Sequence, residues 1–111
     1  MGYIMNITEK EAGQALEYLS DSDETHAELE YNYKLSEERI KQAKAHAFLL
    51  AEGTVAERQA KAEIDPKTKL AIEEWANALK EFKNLTNTRN TQIRITEMFQ
   101  TLSANRRKGN I

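Results

Sequence analysis

Apolar side chains recur along this chain every three or four residues, the period of an α-helix that buries one face. The first such stripe, Ala12, Ala15, Leu16 and Leu19, follows the tetrad Thr8-Glu9-Lys10-Glu11. That tetrad is a capping box, in which the Thr8 hydroxyl accepts the Glu11 backbone N–H and the Glu11 carboxylate reaches back. The run "SDSDE" at 20–24 predicts an end to this short helix and a cap for the next. A second helix is expected from about Asp23 to Glu52. Leu29, Tyr33, Ser36, Ile40, Ala43, Ala47 and Leu50 step 4-3-4-3-4-3 along it, an unbroken heptad seam. The small members Ser36, Ala43 and Ala47 imply a close neighbour, and Glu37 with Lys41 forms an i,i+4 pair on the opposite side.

The stretch "AEGTVAERQAKAEIDP" at 51–66 stops and restarts the pattern twice. Gly53 suits the C′ position, where positive φ is required. Thr54 follows as an N-cap, with Glu57 completing a second capping box. Asp65 caps again, and Pro66 takes the first helical position, where its missing N–H is harmless. A short corner helix between two long ones is predicted, with Ala56, Ala60 and Ala62 allowing it to pack tightly.

The last helix is expected from Pro66 to about Asn105. Ala71, Trp75, Ala78, Phe82 and Leu85 step 4-3-4-3 and match the second helix as an antiparallel partner. Arg89 and Gln92 then occupy the next seam positions, which reads as a failure of the seam. Apolar residues resume at Ile95, Met98, Phe99 and Leu102, ten residues after Leu85, a rotation of about 80° at the α-helical angle per residue. Either the helix kinks in the Asn/Thr-rich "NLTNTRNTQ" (84–92), or the second stripe meets another partner. We favour another partner, the first helix or a second protomer. The fold class is therefore all-α: an elongated antiparallel helical hairpin with a short corner helix and a short N-terminal helix, one domain over residues 1–111, and a dimer.

Composition sharpens this picture. Hydrophobic residues make up 40% and charged residues 31% of the chain, too polar for a fat globular core and suited to long helices or a partner-completed one. With no Cys, disulfides and thiolate metal sites are excluded. The start "MGYIMNITEKEA" lacks a signal peptide's basic and apolar regions, and no apolar run approaches the roughly 20 residues that span a bilayer. No membrane partner is expected. Net charge is −2, unevenly spread: residues 1–33 hold eight acids and one base, and residues 64–111 nine bases and five acids. The asymmetry fits either a nucleic-acid contact at the basic end or pairing of acidic and basic ends within or between chains.

Candidate chemistry is sparse. His26 and His46 stand apart on one predicted helix, in no Glu-x-x-His or His-x-x-x-His pattern. There is no Gly-rich phosphate loop and no readable nucleophile triad. We expect no enzyme activity, no cofactor, no metal and no small-molecule substrate. The basic end "SANRRKGNI" is the best candidate site: Arg106, Arg107 and Lys108 follow Arg89 and Arg94, and no acid lies between Glu81 and Glu97. Such residues fit a nucleic-acid backbone, or simply complement a helix dipole from a solvated C-terminus. Of Tyr31 and Tyr33, the second belongs to the seam and the first is expected to be exposed.

The segments "ALEYL" (15–19), "RIKQAKAHAFLLAEGTVAERQAKAE" (39–63) and "ANRRKGN" (104–110), in this order, resemble a family of small helical tailed-bacteriophage proteins of unassigned function, often encoded among replication and recombination genes. The family's G-x-x-x-E-R-x-A-K-A centre is matched by Gly53, Glu57, Arg58, Ala60, Lys61 and Ala62, and its basic end by Arg106 and Arg107. Phe99 stands where the family often has Trp. The resemblance implies a role in DNA metabolism in the cytoplasm of an infected bacterial host, and it adds Arg58 and Lys61 to the candidate contacts. The expected function is an accessory protein of DNA replication or recombination that binds nucleic acid or a recombination protein through Arg89, Arg94, Arg106, Arg107 and Lys108. The rival is a protein-interaction factor that inhibits a host enzyme or defence complex without binding DNA, using acidic Asp21, Asp23, Glu24, Glu28 and Glu30.

Overall fold

A computed structural model describes residues 7–109 as three helices, α1 (Glu9–Leu50), α2 (Val55–Ile64) and α3 (Pro66–Gly109), with no strand among the described residues. The chain is an all-α helical hairpin with a short helix between the two long ones.

The expected break at residues 20–24 does not occur: α1 is one helix, and the predicted short N-terminal helix is its first four turns. The reason lies in the phase of the seam. Ala12, Ala15, Leu19, Ser22, His26, Leu29, Tyr33, Ser36, Ile40, Ala43 and Ala47 step 3-4-3-4 without interruption, and each is buried or half-buried. Ser22 is therefore an interior position, its hydroxyl donating to the Leu19 carbonyl at 3.4 Å, and not a cap. At the start of α1, Thr8 Oγ1 accepts the Glu11 N–H at 3.1 Å, as expected. Ile7 before the cap and Ala12 in the second turn are both buried, which completes a hydrophobic staple that the pattern reading missed.

The corner forms as its punctuation predicts. Gly53 has φ +119°. Thr54 Oγ1 accepts the Glu57 N–H at 3.2 Å, and Asp65 Oδ1 accepts the Lys67 N–H at 2.9 Å at the start of α3. The last turn of α1 contains no basic residue. Two cations reach its end from α2 instead: Arg58 Nε donates to the Phe48 carbonyl at 3.2 Å, and Lys61 Nζ to the Glu52 carbonyl at 2.8 Å. Arg58 thus meets a carbonyl of the last turn of α1 and Lys61 one just past it, with positive charge where the helix dipole favours it. The Arg58 guanidinium also lies over the Phe48 ring, 4.1 Å from its centroid.

Helix α3 shows no break through 84–92. Thr88 and Thr91 donate their hydroxyls to the carbonyls of Asn84 and Asn87, so the polar run is satisfied within the helix. The expected failure of the seam is also corrected. Ala71, Trp75, Ala78, Phe82, Leu85, Arg89, Gln92, Thr96, Phe99 and Ser103 keep the 4-3 step, and all are buried or half-buried. Phe99 thus belongs to the original face. Ile95 and Leu102 flank it half-buried, and Met98 is more exposed. The first turns of α1 cover this stretch, with Ile7 beside Ile95 and Met98, and Ala12 and Leu16 beside Phe99.

The described residues divide into two compact units, each drawn from both long helices. The first contains the start of α1, up to Thr25, and α3 from Asn84; the second is His26–Lys83. In the second, Phe82 stacks between two seam residues one heptad apart, 4.9 Å from the rings of both His26 and Tyr33. Tyr33 is in the core, as its seam position predicts, and Tyr31 is exposed. Among the described residues the buried side chains are small, at Ala12, Ala15, Ala47, Ala62, Ala71, Ser36 and Thr68, with the exception of Ile7.

Two stability predictions follow from the corner and the second unit. A Cβ at Gly53 would sit 2.5 Å from Glu57 Oε2 in a left-handed conformation, so Gly53→Val should destabilise by about 1 kcal/mol or more. Urea melts that place its midpoint at the wild-type value would count against the corner. Thr68 is fully buried and its hydroxyl has no partner, so Thr68→Val should stabilise by about 1 kcal/mol. A lower melting temperature in calorimetry would show that the hydroxyl is satisfied.

Candidate nucleic-acid interface

The candidate cations fall into two groups. Arg89, Arg58 and Lys61 are engaged in hydrogen bonds, the first two half-buried and Lys61 exposed, whereas Arg94, Arg106, Arg107 and Lys108 are exposed and have no hydrogen-bond or ion-pair partner among the described residues.

Arg89 is the most constrained. Its seam position turns the side chain toward α1, and only 15% of that side chain is exposed. Nη1 donates to the Leu19 carbonyl at 2.8 Å and to Ser22 Oγ at 2.7 Å, and Nη2 pairs with Asp23. A planar guanidinium can reach all three at once, which a lysine ammonium on the same position would not. Arg89 is therefore occupied within the first unit and does not form a surface patch with Arg94. This is also where the acidic start of α1 meets the basic end of α3, so pairing of the unlike segments occurs within one chain.

The contacts of Arg89 fix the register of the antiparallel segments in this unit. With Arg89 level with Ser22, the same count brings Glu9 level with Leu102. Arg106, Arg107 and Lys108 then lie a turn or more beyond the first acid of α1, in the last turn of α3. Only Glu97 brings a negative side chain to α3 between Asn84 and Gly109. Arg94 lies farther back, beside Ile7, Ile95 and Met98 in an apolar groove. The structure thus groups Arg106, Arg107 and Lys108, sets Arg94 about three turns away, and separates Arg58 and Lys61 into the second unit.

The acidic candidates of the rival reading sit along α1. Asp21, Glu24 and Glu28 are exposed without partners among the described residues, whereas Asp23 is held by Arg89 and Glu30 pairs with Lys34 at 3.4 Å. His26 stacks on Phe82, and His46 lines an open cleft with Arg39, Lys61, Asp65 and Lys67. No group of three His, Cys, Asp or Glu side chains is placed to hold a metal ion, among the described residues. None of their helices is long and apolar enough to cross a membrane. Comparison with protein-family models, with curated proteins and with solved structures gives no match.

The two contributions at Arg89 are separable. Its ion pair is with a carboxylate whose side chain is 69% exposed, so Asp23→Ala should cost less than about 1 kcal/mol. Arg89→Ala also removes the charge-assisted bonds to Leu19 and Ser22 and should cost about 2 kcal/mol. Arg89→Met, which keeps the apolar stem over the seam, should cost less than Arg89→Ala. Equal losses for Asp23→Ala and Arg89→Ala in urea unfolding would assign the effect to the ion pair instead.

Proposed function

We propose that the chain binds nucleic acid through the far end of α3, as a phage-type accessory protein of DNA replication or recombination in the host cytoplasm. The observation that carries this reading is the last turn of α3, where three adjacent cations, Arg106, Arg107 and Lys108, are exposed and without a partner among the described residues. They are displaced along the helix from the acids of α1. Phosphates can approach such an end without disturbing the seam, and binding there is electrostatic and largely blind to sequence. Arg94 extends the basic surface along α3. The same reading includes association with copies of the chain and contact with a recombination protein on the bound strand. It involves no small-molecule substrate.

The rival reading, an inhibitor of a host enzyme or defence complex, draws on the unpartnered Asp21, Glu24 and Glu28 of α1. An acidic helix surface of this kind suits a basic protein groove and repels DNA.

Fluorescence anisotropy with single- and double-stranded oligonucleotides separates the two. Wild type should bind at low salt, with log K falling against log salt at a slope of about −2.7 on duplex and about −2.1 on single strand for three phosphate contacts. Reversing Arg106, Arg107 and Lys108 to Glu should abolish binding and change the melting temperature little. Absence of wild-type binding to either oligonucleotide would reject the nucleic-acid reading in favour of the acidic-surface one.

A further inference from the structure

One flank of the first unit is an open groove of about 340 Å³, walled by Glu9, Ala12, Gly13 and Leu16 of α1 and by Thr96, Phe99 and Gln100 of α3. Gly13 is its unexplained element. It lies inside a helix, where Gly costs about 1 kcal/mol relative to Ala, and no unusual φ requires it. Nor does internal packing: a Cβ built there meets nothing within 4 Å. Leu16, one turn on, is 58% exposed beside it, and Ile93, one heptad before Gln100, is also exposed on this side. Missing bulk beside an exposed leucine is the surface of a helix that another helix approaches closely.

We propose that this groove is the contact surface for a second copy of the chain, related by a two-fold axis. This rests on the self-association included in the reading above and assigns its surface. Charge complementarity selects the occupant. Apart from Asp23 and Arg89, which pair within the chain, α1 carries five acids and one base between Glu9 and Thr25, and α3 carries four bases and one acid between Asn84 and Gly109. A two-fold operation lays the acidic α1 of each copy along the basic α3 of the other, twice over, which makes the face complementary to itself. A nucleic acid would meet the acids of α1 instead. The size is adequate. The α1 stretch is about 25 Å long, and two adjacent helices are about 20 Å wide, a flat footprint of about 500 Å². Interdigitation raises the buried area toward the roughly 600 Å² per partner at which specific interfaces begin.

Sedimentation velocity from about 1 to 100 µM tests the proposal, with wild type, Gly13→Gln and Leu16→Gln. Wild type should sediment as a dimer that weakens with added salt. Gly13→Gln fills the groove with an uncharged side chain of good helix propensity, and should raise the dimer dissociation constant at least about tenfold. Leu16→Gln should do the same. Circular dichroism at the lowest concentration should show undiminished helix in both variants, since neither change touches the seam. A dimer left intact by both variants would overturn the surface assignment while leaving self-association standing. A wild type that stays monomeric at 100 µM would overturn both. Oligonucleotide binding is read separately by anisotropy, so neither outcome is confused with failure of the nucleic-acid reading.

Discussion

Close approach of two long helices across a seam of small side chains is the constraint on which this fold depends. Alanines at 12, 15, 47 and 71, with Ser36 and Thr68, occupy its most buried positions. A larger side chain at any of them would hold the helices apart. The consequence is a thin core. A buried Ala removes far less apolar surface from water than the Leu, Ile or Phe of an ordinary interior, each worth about 1.5–3 kcal/mol. The rest of the stability must come from elements that thick cores can neglect. Each helix start has a side-chain cap, at Thr8, Thr54 and Asp65. A carbonyl in the last turn of α1 is met by Arg58, and one just beyond the helix by Lys61. Helices with so little between them depend on their ends.

A seam of similar small residues has a second problem, because it fits itself in several registers. Polar and aromatic exceptions resolve it. Arg89 finds the Leu19 carbonyl, Ser22 and Asp23 together in one register only, and a slip of one heptad would leave a guanidinium buried without acceptors. Phe82 performs the corresponding task in the second unit, seated between His26 and Tyr33. A single polar group at a seam position is the best attested use of buried polarity, trading stability for a unique register. Ser22 and Arg89 fit that use closely, since each supplies what the other lacks.

These same residues explain what the sequence could and could not disclose. The corner was legible because Gly53, Thr54, Asp65 and Pro66 act locally, each through its own backbone geometry. The second-helix seam from Leu29 onward was legible because its members are apolar or small. The break assigned to "SDSDE" and the failure assigned at Arg89 were the same error made twice. Both came from requiring an apolar residue at each seam position, when the 4-3 phase continued through Ser22, His26, Arg89 and Gln92 unaltered. Seen alone, Ser22 looks like a cap and Arg89 like a phosphate contact. Only their juxtaposition across two helices, 67 positions apart in the chain, shows that each is the partner of the other. Ile7 escaped for a milder reason: a staple is one apolar residue outside the periodic run.

The engagement of Arg89, Arg58 and Lys61 in bonds within the chain also changes what the charge asymmetry means. The Asp23–Arg89 pair between the acidic start of α1 and the basic end of α3 is short-ranged and internal, so these two charges add little to the field a distant polyanion feels. What remains for function is whatever the register leaves uncompensated. That is the last turn of α3 at one end, and the outward acids of α1 along the side. Two surfaces of opposite sign on one small unit cannot serve the same polyanionic ligand. In the proposed reading, phosphates would be confined to the cationic tip, and the acidic side would be left for a partner with basic side chains. The proposed nucleic-acid contact and the proposed self-association would draw on the same helix at different levels: Thr96 to Gln100 in the groove, and Arg106 to Lys108 beyond it. Binding at the tip need not displace the second copy, and a dimer would present two such tips to one strand.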